Sequence, residues 1–204
     1  MENAMLAYFN AGGLFMWPIF FLFILSFGVM LEKLCYFLIY ELDATAKFKM
    51  RLATLINANK DEEAKILCQK YKNTIAKTTI FVLENVNFKL DTKSQIDYTI
   101  EEAINDKVLN LEKHNWILAM CASISPQLGL LGTITGMIRS FAGLSGGVNA
   151  PEVAMGISEA LYTTAAGLIV AIPCLAILLM INKKIDYILN DLNRTIGLFS
   201  RRIS

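Results

Sequence analysis

The distribution of charge along the 204 residues is what most constrains how this chain folds. Residues 3–31 and 116–138 carry no charge, residues 153–181 carry one, and 24 of the 37 charged residues lie within 41–114. A helix needs about 18 to 20 apolar residues to cross a hydrocarbon core of ~30 Å. The pattern therefore predicts an all-α membrane protein with three transmembrane helices, at residues 14–40, 116–139 and 153–181.

The positions of lysine and arginine predict the orientation of these spans, because positive residues are retained on the cytoplasmic side of a membrane. Residues 41–115 contain 12 of them and residues 182–204 contain 5, whereas residues 1–13 and 140–152 contain none. We expect an outer N-terminus (1–13), a cytoplasmic helical domain (41–115), an outer loop (140–152) and a cytoplasmic C-terminal tail (182–204). The first span is expected to be a permanent anchor, because residues 1–13 lack the positive charges of a signal peptide.

The polar segment 41–115 is expected to be helical throughout, because its apolar residues recur at helical spacing. They are Phe48, Leu52, Leu55 and Ile56; Ala64, Leu67, Cys68 and Tyr71; and Ile96, Ile100, Ala103, Ile104 and Leu111. The segment has no Pro or Gly, which favours a long helical hairpin with a turn at 59–63 and a capping box at 94–97. Its 12 acidic and 12 basic residues fit a solvated face or a docking surface for neighbouring subunits.

Other classes of protein have little support in the composition. The net charge of +1 gives no global basic surface for nucleic acid. The four cysteines follow no C-x-x-C pattern, so neither a disulfide framework nor a zinc site is indicated, and all four are expected to be small buried side chains. The single histidine, His114, has no partners for a metal site, and no cofactor is indicated.

Small residues follow one face of the second predicted span and one face of the third. They are Ser125, Gly129, Gly132 and Gly136, and then Gly156, Ala160, Thr163, Gly167, Ala171 and Cys174. Small side chains let helix backbones approach closely in lipid, where packing replaces a hydrophobic driving force. Two such faces predict two close helix contacts and a homo-oligomer closed by these spans.

Two prolines lie inside the same spans, Pro126 in the second and Pro173 in the third. Each removes a backbone donor and leaves a carbonyl without its helical partner, which predicts a kink. A hinge is the functional alternative.

Glu159 is the single acid of the third span. An ionised carboxylate inside a bilayer costs several kcal/mol, so such residues usually face a bundle interior or water. Glu159 and Thr133 each lie about 8 to 9 Å from the outer end of their helices at ~1.5 Å per residue, so they are expected to share a layer. An ion pathway is the favoured interpretation. The alternative is a carboxylate that reaches the outer interface with help from Arg139 or solvent.

Three blocks of sequence resemble the ExbB/TolQ/MotA family of proton-channel stator proteins. They are GGLFMWPI at 12–19 with LEKL at 31–34, ISPQLGLLGTITGM at 124–137, and GISEALYTTAAGL at 156–168 running on to AIP at 171–173. Three spans and the first block make the chain most similar to the ExbB branch, since MotA-like members have four spans. Gln127 departs from the family, which usually has an apolar residue there, and Arg139 is assigned no role.

The resemblance implies a multi-pass subunit of the bacterial inner membrane, with its N-terminus in the periplasm and its C-terminus in the cytoplasm. It implies a pentamer around the transmembrane helices of an ExbD-type dimer, a single-span partner that carries an intramembrane aspartate. Such a complex uses the protonmotive force to energise a TonB-type transducer for transport across the outer membrane. The family's channel-lining positions fall on Thr133, Glu159 and Thr164.

Rival functions stay open at this point. By the same resemblance, three spans also fit a TolQ-like subunit of the Tol-Pal envelope-maintenance system. A non-conducting membrane scaffold would keep the small-residue faces but has no use for Glu159. A solute transporter is less favoured, because the three spans show no inverted repeat. No feature of the sequence indicates an enzyme.

Overall fold

A computed structural model describes residues 13–41, 44–88, 90–144 and 150–201. These residues form seven helices and no strand, which confirms the all-α prediction. The helices are α1 (Met16–Tyr40), α2 (Ala46–Asn57), α3 (Asp61–Cys68), α4 (Thr74–Asn85), α5 (Lys93–Glu112), α6 (Asn115–Leu144) and α7 (Ala150–Ser200).

Three of these helices are long and apolar enough to cross a membrane, as the sequence predicts. The apolar stretches are Met16–Tyr40, Asn115–Ala142 and Val153–Ser200. Helix α7 has 51 residues, and at ~1.5 Å per residue it measures about 75 Å, more than twice the ~30 Å of a hydrocarbon core. The predicted third span and the predicted C-terminal tail are therefore parts of one continuous helix. The chain is an all-α membrane protein.

The predicted outer segments lie partly beyond the described residues. Positions 1–12 and 145–149 are outside them. Helix α6 continues to Leu144 and α7 begins at Ala150, so both ends of the segment 140–152 are helical.

The chain divides into two compact units. The first, which we call the apolar unit, consists of residues 1–31 and 114–179. Its core brings α1, α6 and α7 together through five buried side chains, Ile19, Leu22, Cys121, Val170 and Cys174. Burial of this apolar surface joins the three helices of the unit.

The second unit, which we call the polar unit, consists of residues 32–113 and 180–204. In it, α2 contacts α3, α3 contacts α4, and α4 contacts α5. The apolar positions that recur at helical spacing supply its core, including Phe48, Leu52 and Ile56 of α2, which are all buried. The helical prediction for this segment is confirmed, but four helices replace the two arms of a long hairpin.

Side chains and turns define the ends of these shorter helices. Thr45 accepts a hydrogen bond from Phe48 N at 3.4 Å, and Asn73 accepts one from Ala76 N at 2.8 Å. Between α2 and α3, Asn59 adopts a left-handed φ of 56°, a conformation that asparagine tolerates better than most residues. At these two N-caps a side-chain oxygen satisfies a helix donor that has no intrahelical partner.

Two local expectations are corrected. The capping box of α5 is formed by Thr92 and Gln95 and not by 94–97: Thr92 N donates to Gln95 Oε1 at 2.8 Å. The helix begins two residues earlier than expected, because both Thr92 and Ser94 can cap a helix. Cys35 is exposed, whereas the other three cysteines are buried as predicted.

Candidate functional site

Helices α6 and α7 meet along glycines that leave no room for a side chain, a contact that we call the α6–α7 seam. Atoms built as Cβ would lie 2.9 Å from Thr164 Cα at Gly129, 2.5 Å from Thr163 Cγ2 at Gly132 and 2.8 Å from Ala160 Cβ at Gly136. Contacts under 3.0 Å are essentially never made by real Cβ atoms. Glycine at these positions therefore permits the close approach of the two helices.

The small residues of α7 face the same seam. A Cβ at Gly156 would meet Ser140 Oγ, and one at Gly167 would meet the main-chain oxygen of Ser125. The two small-residue faces thus pack against each other inside one subunit. This corrects the expectation of two separate close contacts, and it removes the small-residue faces as an argument for assembly between subunits.

Glu159 is half-buried on α7, near the end of the seam formed by Gly136 and Gly156. Its carboxylate is near Gly13, which has a left-handed φ of 64° that glycine adopts without strain. The side chain lines a cavity of about 20 Å³ together with Gly13, Leu14, Phe15, Gly132, Thr135, Gly136, Arg139 and Thr163. A polar cavity needs roughly 10–15 Å³ to hold one water molecule. The arrangement can place a single water against the carboxylate.

The three threonines near Glu159 differ in where their hydroxyls point. Thr164 Oγ1 donates across the seam to Gly129 O at 2.8 Å. Thr163 Oγ1 donates to the main-chain oxygen of Glu159 at 3.0 Å, which ties it to its own helix. Thr135 lines the Glu159 cavity, and its hydroxyl donates to Leu131 O at 2.9 Å.

Thr133 is not among the residues that line this cavity. Its hydroxyl donates to Leu130 O at 2.7 Å, on its own helix. Two residues along an α-helix point about 200° apart, so Thr133 and Thr135 project in different directions at nearly the same depth. Depth alone suggested that Thr133 and Glu159 share a layer, and the position around the helix selects Thr135 as the neighbour. The assignment of Thr133 to an ion path stays a prediction.

Sequence reasoning assigned no role at this site to two of the cavity's residues, Gly13 and Thr135, and it placed Arg139 beside Glu159 only in the alternative of an interfacial carboxylate. Arg139 follows Thr135 by four residues and Gly136 by three, so helical spacing alone places it on the cavity's side of α6. This spacing is present in the sequence, but it indicates a site only once the α6 face that meets Glu159 is known.

Both prolines lie inside continuous helices, Pro126 in α6 and Pro173 in α7. The kinks expected at these positions stay predictions.

The chain has three long apolar helices and an acid, Glu159, beside the α6–α7 seam. These features define a class, the helical membrane proteins with an ionisable group inside a span. A family model described as the MotA/TolQ/ExbB proton channel family matches residues 59–194. The match covers α3 to α6 and most of α7, including Glu159, Thr133 and Thr164. The chain belongs to the MotA/TolQ/ExbB proton channel family.

Some of the relatives are named ExbB and one is named TolQ. The chain is 43% identical over 99 residues to the biopolymer transport protein ExbB of Helicobacter pylori, covering 47% of this chain and 64% of the relative. It is 29% identical over 172 residues to the biopolymer transport protein exbB1 of Vibrio cholerae, covering 80% and 73%. It is 38% identical over 100 residues to the Tol-Pal system protein TolQ of Haemophilus influenzae, covering 48% and 44%. In the first and third of these alignments, less than two thirds of the relative is spanned.

Proposed function

We propose that this chain is an ExbB-like subunit of a proton channel that uses the protonmotive force to energise transport across the outer membrane. The observation that carries the proposal is Glu159, the one acid of the apolar stretch 153–181, half-buried beside a small polar cavity. An ionised carboxylate in this setting costs free energy, so acids inside membrane spans are rare and usually mark ion or proton pathways. Glu159 also lies within the residues that match a proton channel family, which supports a role in proton binding.

The proposed chemistry is reversible proton binding at the Glu159 carboxylate. The cavity beside it is large enough for one water, which can pass a proton to or from the acid. The proposed path also includes Thr164 and Thr133, whose hydroxyls can donate and accept hydrogen bonds in a chain of water. The hydroxyl of Thr164 already bridges the two helices that would line the path.

A single acid in each subunit cannot relay a proton across the whole membrane. We therefore propose a partner that supplies a second one, an ExbD-type dimer whose single-span helices carry an intramembrane aspartate. Several copies of this chain, a pentamer by resemblance, would surround those helices. Each proton that crosses releases ~2.3 kcal/mol per 100 mV, which a rearrangement of the partner helices can deliver to a TonB-type transducer.

The proposed location is the bacterial inner membrane, with the N-terminus in the periplasm and the C-terminus in the cytoplasm. The support is the excess of lysine and arginine, 17 in residues 41–115 and 182–204 against none in 1–13 and 140–152. Cysteines introduced separately at Ser94 and Ser145, with Cys35 replaced by serine, test it. A membrane-impermeant maleimide added to cells with a permeable outer membrane should label the Ser145→Cys protein and not the Ser94→Cys protein. Labelling of Ser94→Cys alone would invert the proposed topology.

The proton-site proposal is tested by Glu159→Gln, which keeps the size of the side chain but cannot ionise. We expect the protein to assemble in membranes at the native level while protonmotive-force-dependent uptake through outer-membrane receptors is abolished. The matched control is Glu62→Gln on α3, the same change at an exposed site, which should leave uptake intact. Full uptake by an assembled Glu159→Gln protein would contradict the proton-site assignment.

Threonine-to-valine variants test the rest of the path, because valine keeps the shape and removes the hydroxyl. Thr164→Val and Thr133→Val should each lower uptake without abolishing it. Thr99→Val is the control, since Thr99 is half-buried on α5, outside the three long apolar helices, and its hydroxyl makes a similar bond to a main-chain oxygen, Gln95 O at 3.0 Å. If Thr133→Val has no effect while Thr135→Val impairs uptake, the path runs through the Glu159 cavity and Thr133 is excluded from it.

A TolQ-like role in envelope maintenance is the second candidate, favoured by the match to the Haemophilus influenzae protein. Deletion of the gene separates the two. Loss of receptor-dependent uptake with an intact outer membrane supports the ExbB-like role, whereas detergent sensitivity and leakage of periplasmic proteins with normal uptake support the TolQ-like role. A non-conducting scaffold predicts that Glu159→Gln is silent in both assays.

A further inference from the structure

Helix α5 carries an exposed row of side chains, which we call the α5 stripe. It consists of Tyr98, Glu101, Glu102, Asn105, Asp106 and Leu109, which border one shallow depression. The spacing of three and four residues places all of them on one face of the helix. The two apolar members at its ends, Tyr98 and Leu109, are 69% and 71% exposed. The stripe therefore offers two exposed apolar side chains with polar and charged side chains between them.

The stripe is acidic. Asp106 pairs with its neighbour Lys107 at 2.7 Å. Glu101 and Glu102 are exposed, and neither has an ion pair with another of the residues that the structure describes. The stripe therefore presents at least two uncompensated negative charges between two apolar ends.

A groove elsewhere in the polar unit has complementary properties. It has a volume of about 740 Å³ and runs between α2 and the C-terminal part of α7, and we call it the α2–α7 groove. Its α2 side is Ala46, Lys49, Met50, Ala53 and Asn57, and its α7 side is Asp191, Asn193, Arg194, Thr195, Gly197, Leu198 and Arg201. Two helices with small residues between them leave space for a third helix.

The groove is basic with an apolar patch. Lys49 and Asp191 pair with each other, so they cancel. Arg194 and Arg201 are exposed and make no ion pair with any other described residue. Met50 is 65% exposed at its edge, and a Cβ at Gly197 would meet no atom within 4 Å, so the floor is open.

We propose that the α5 stripe of one subunit docks in the α2–α7 groove of a second copy of this chain, an inference that rests on the proposed homo-oligomer. The two free carboxylates of the stripe match the two free guanidinium groups of the groove, and arginine binds carboxylates in a bidentate manner. Tyr98 and Leu109 supply apolar area that Met50 and Leu198 can cover. Both surfaces are exposed on the same subunit and their charges are opposite, so a second copy of the chain can cover each of them.

This contact joins two different surfaces and is therefore head-to-tail. Repeated head-to-tail contacts close into a ring when the rotation between neighbours allows it. The docking would give each cytoplasmic domain one neighbour on either side, which is the arrangement that a ring of subunits around a central partner requires.

Cross-linking between differently tagged copies tests the contact. One copy carries Glu102→Cys and the other Asn193→Cys, both with Cys35→Ser, since the remaining native cysteines are buried. Each chain then has one exposed cysteine, so a disulfide that links the two tags forms only between subunits. We expect oxidation of membranes to give the mixed dimer, and Glu62→Cys in place of Glu102→Cys to give none.

Charge reversal tests the electrostatic part. Arg194→Glu with Arg201→Glu in the Asn193→Cys copy should lower the yield of mixed dimer about fivefold, in line with the small free energies of surface ion pairs. Glu101→Arg in the Glu102→Cys copy should restore part of the yield. High salt should weaken the native contact and leave the apolar part.

The subunit count distinguishes failure of this contact from failure of the proposed oligomer. If native mass spectrometry of the solubilised protein shows the oligomer but no mixed dimer forms, the docking is wrong and the oligomer stands. If the protein is monomeric, both are wrong. Cross-linking of Asn193→Cys to a different polypeptide would also overturn the docking, because it would show another occupant of the groove.

Discussion

The α6–α7 seam and the helices of the polar unit reach close packing by opposite means. In the seam, three glycines of α6 remove side chains so that two backbones approach, and the polar groups are hydroxyls bonded to main-chain oxygens. In the polar unit, side chains join the helices: Lys65 of α3 pairs with Glu84 of α4 at 2.7 Å, and Phe88 stacks on Phe199 at 5.4 Å. In lipid, helix association depends mainly on close packing and interhelical hydrogen bonds, whereas in water apolar burial adds a driving force. A substitution that adds volume should therefore harm the seam most, and one that removes a polar contact should harm the polar unit most.

We expect the largest loss of stability from Gly167→Ala in the seam. Its Cβ would overlap the main-chain oxygen of Ser125, which cannot move aside as a flexible side chain can. We expect a loss of about 1–3 kcal/mol or more, the usual cost of overpacking. The measurement is thermal unfolding of the protein in detergent.

Gly28→Ala is the matched control for the seam variant. Gly28 lies on α1, and a Cβ there would meet no atom within 4 Å. Alanine in a helix is favoured over glycine by roughly 0.5–1 kcal/mol, so this variant should be neutral or more stable. Equal behaviour of the two variants would contradict the steric account of the seam.

Asn73→Ala should have the largest effect among polar contacts of the polar unit. Asn73 is fully buried, and its side chain accepts from Ala76 N at the start of α4. Loss of a helix cap costs about 1–2 kcal/mol. Thr92→Ala, at the exposed cap of α5, should cost less when both are compared by thermal unfolding, and the reverse order would show that burial does not set the value of these caps.

Cys68 predicts a loss of stability at alkaline pH. Burial raises the pKa of its thiol from 9.0 to about 12. Between these values the unfolded state loses the proton and the folded state keeps it, so the free energy of unfolding falls as pH rises above 9. Relative to neutral pH, the loss at pH 10 is about 1.4 kcal/mol. Cys68→Ala should flatten this part of the pH profile, and an unchanged profile would assign the alkaline loss to other groups.

The smallest effect is expected from Glu84→Gln, which breaks the exposed ion pair between α3 and α4. The hydrogen bond from Lys65 to Glu84 raises the pKa of the Lys65 ammonium. Pairs in solvent contribute little, because water and salt screen them. The midpoint of thermal unfolding should hardly change. A shift comparable to that of Asn73→Ala would mean that exposed ion pairs contribute much of the stability of the polar unit.

Predictions from sequence succeeded where a signal depends on one helix alone. Helical periodicity identified Phe48, Leu52 and Ile56 as core residues, and charge-free length identified the three long helices. Both signals follow from the geometry of a single helix and need no knowledge of its neighbours.

Predictions failed where the answer depends on which face meets which neighbour. The small residues of α6 and α7 were assigned to two contacts, but they meet in one. Thr135 and Arg139 line the cavity beside Glu159, whereas the grouping of Thr133 with Glu159 rests on depth alone and stays a prediction. Cys35 has apolar neighbours in sequence but projects outward from α1. The helix face on which a side chain lies can be read from the sequence, but the neighbour that this face meets becomes known only from the structure.

The most direct test of the central claim is proton flux in liposomes through the purified complex of this chain with the proposed ExbD-type partner. An imposed potential with a pH-sensitive dye inside reports the flux. We predict flux in the native complex and in Glu62→Gln, and none above the lipid background in Glu159→Gln of the same subunit composition. Equal flux in the native and Glu159→Gln complexes would show that Glu159 does not carry the proton.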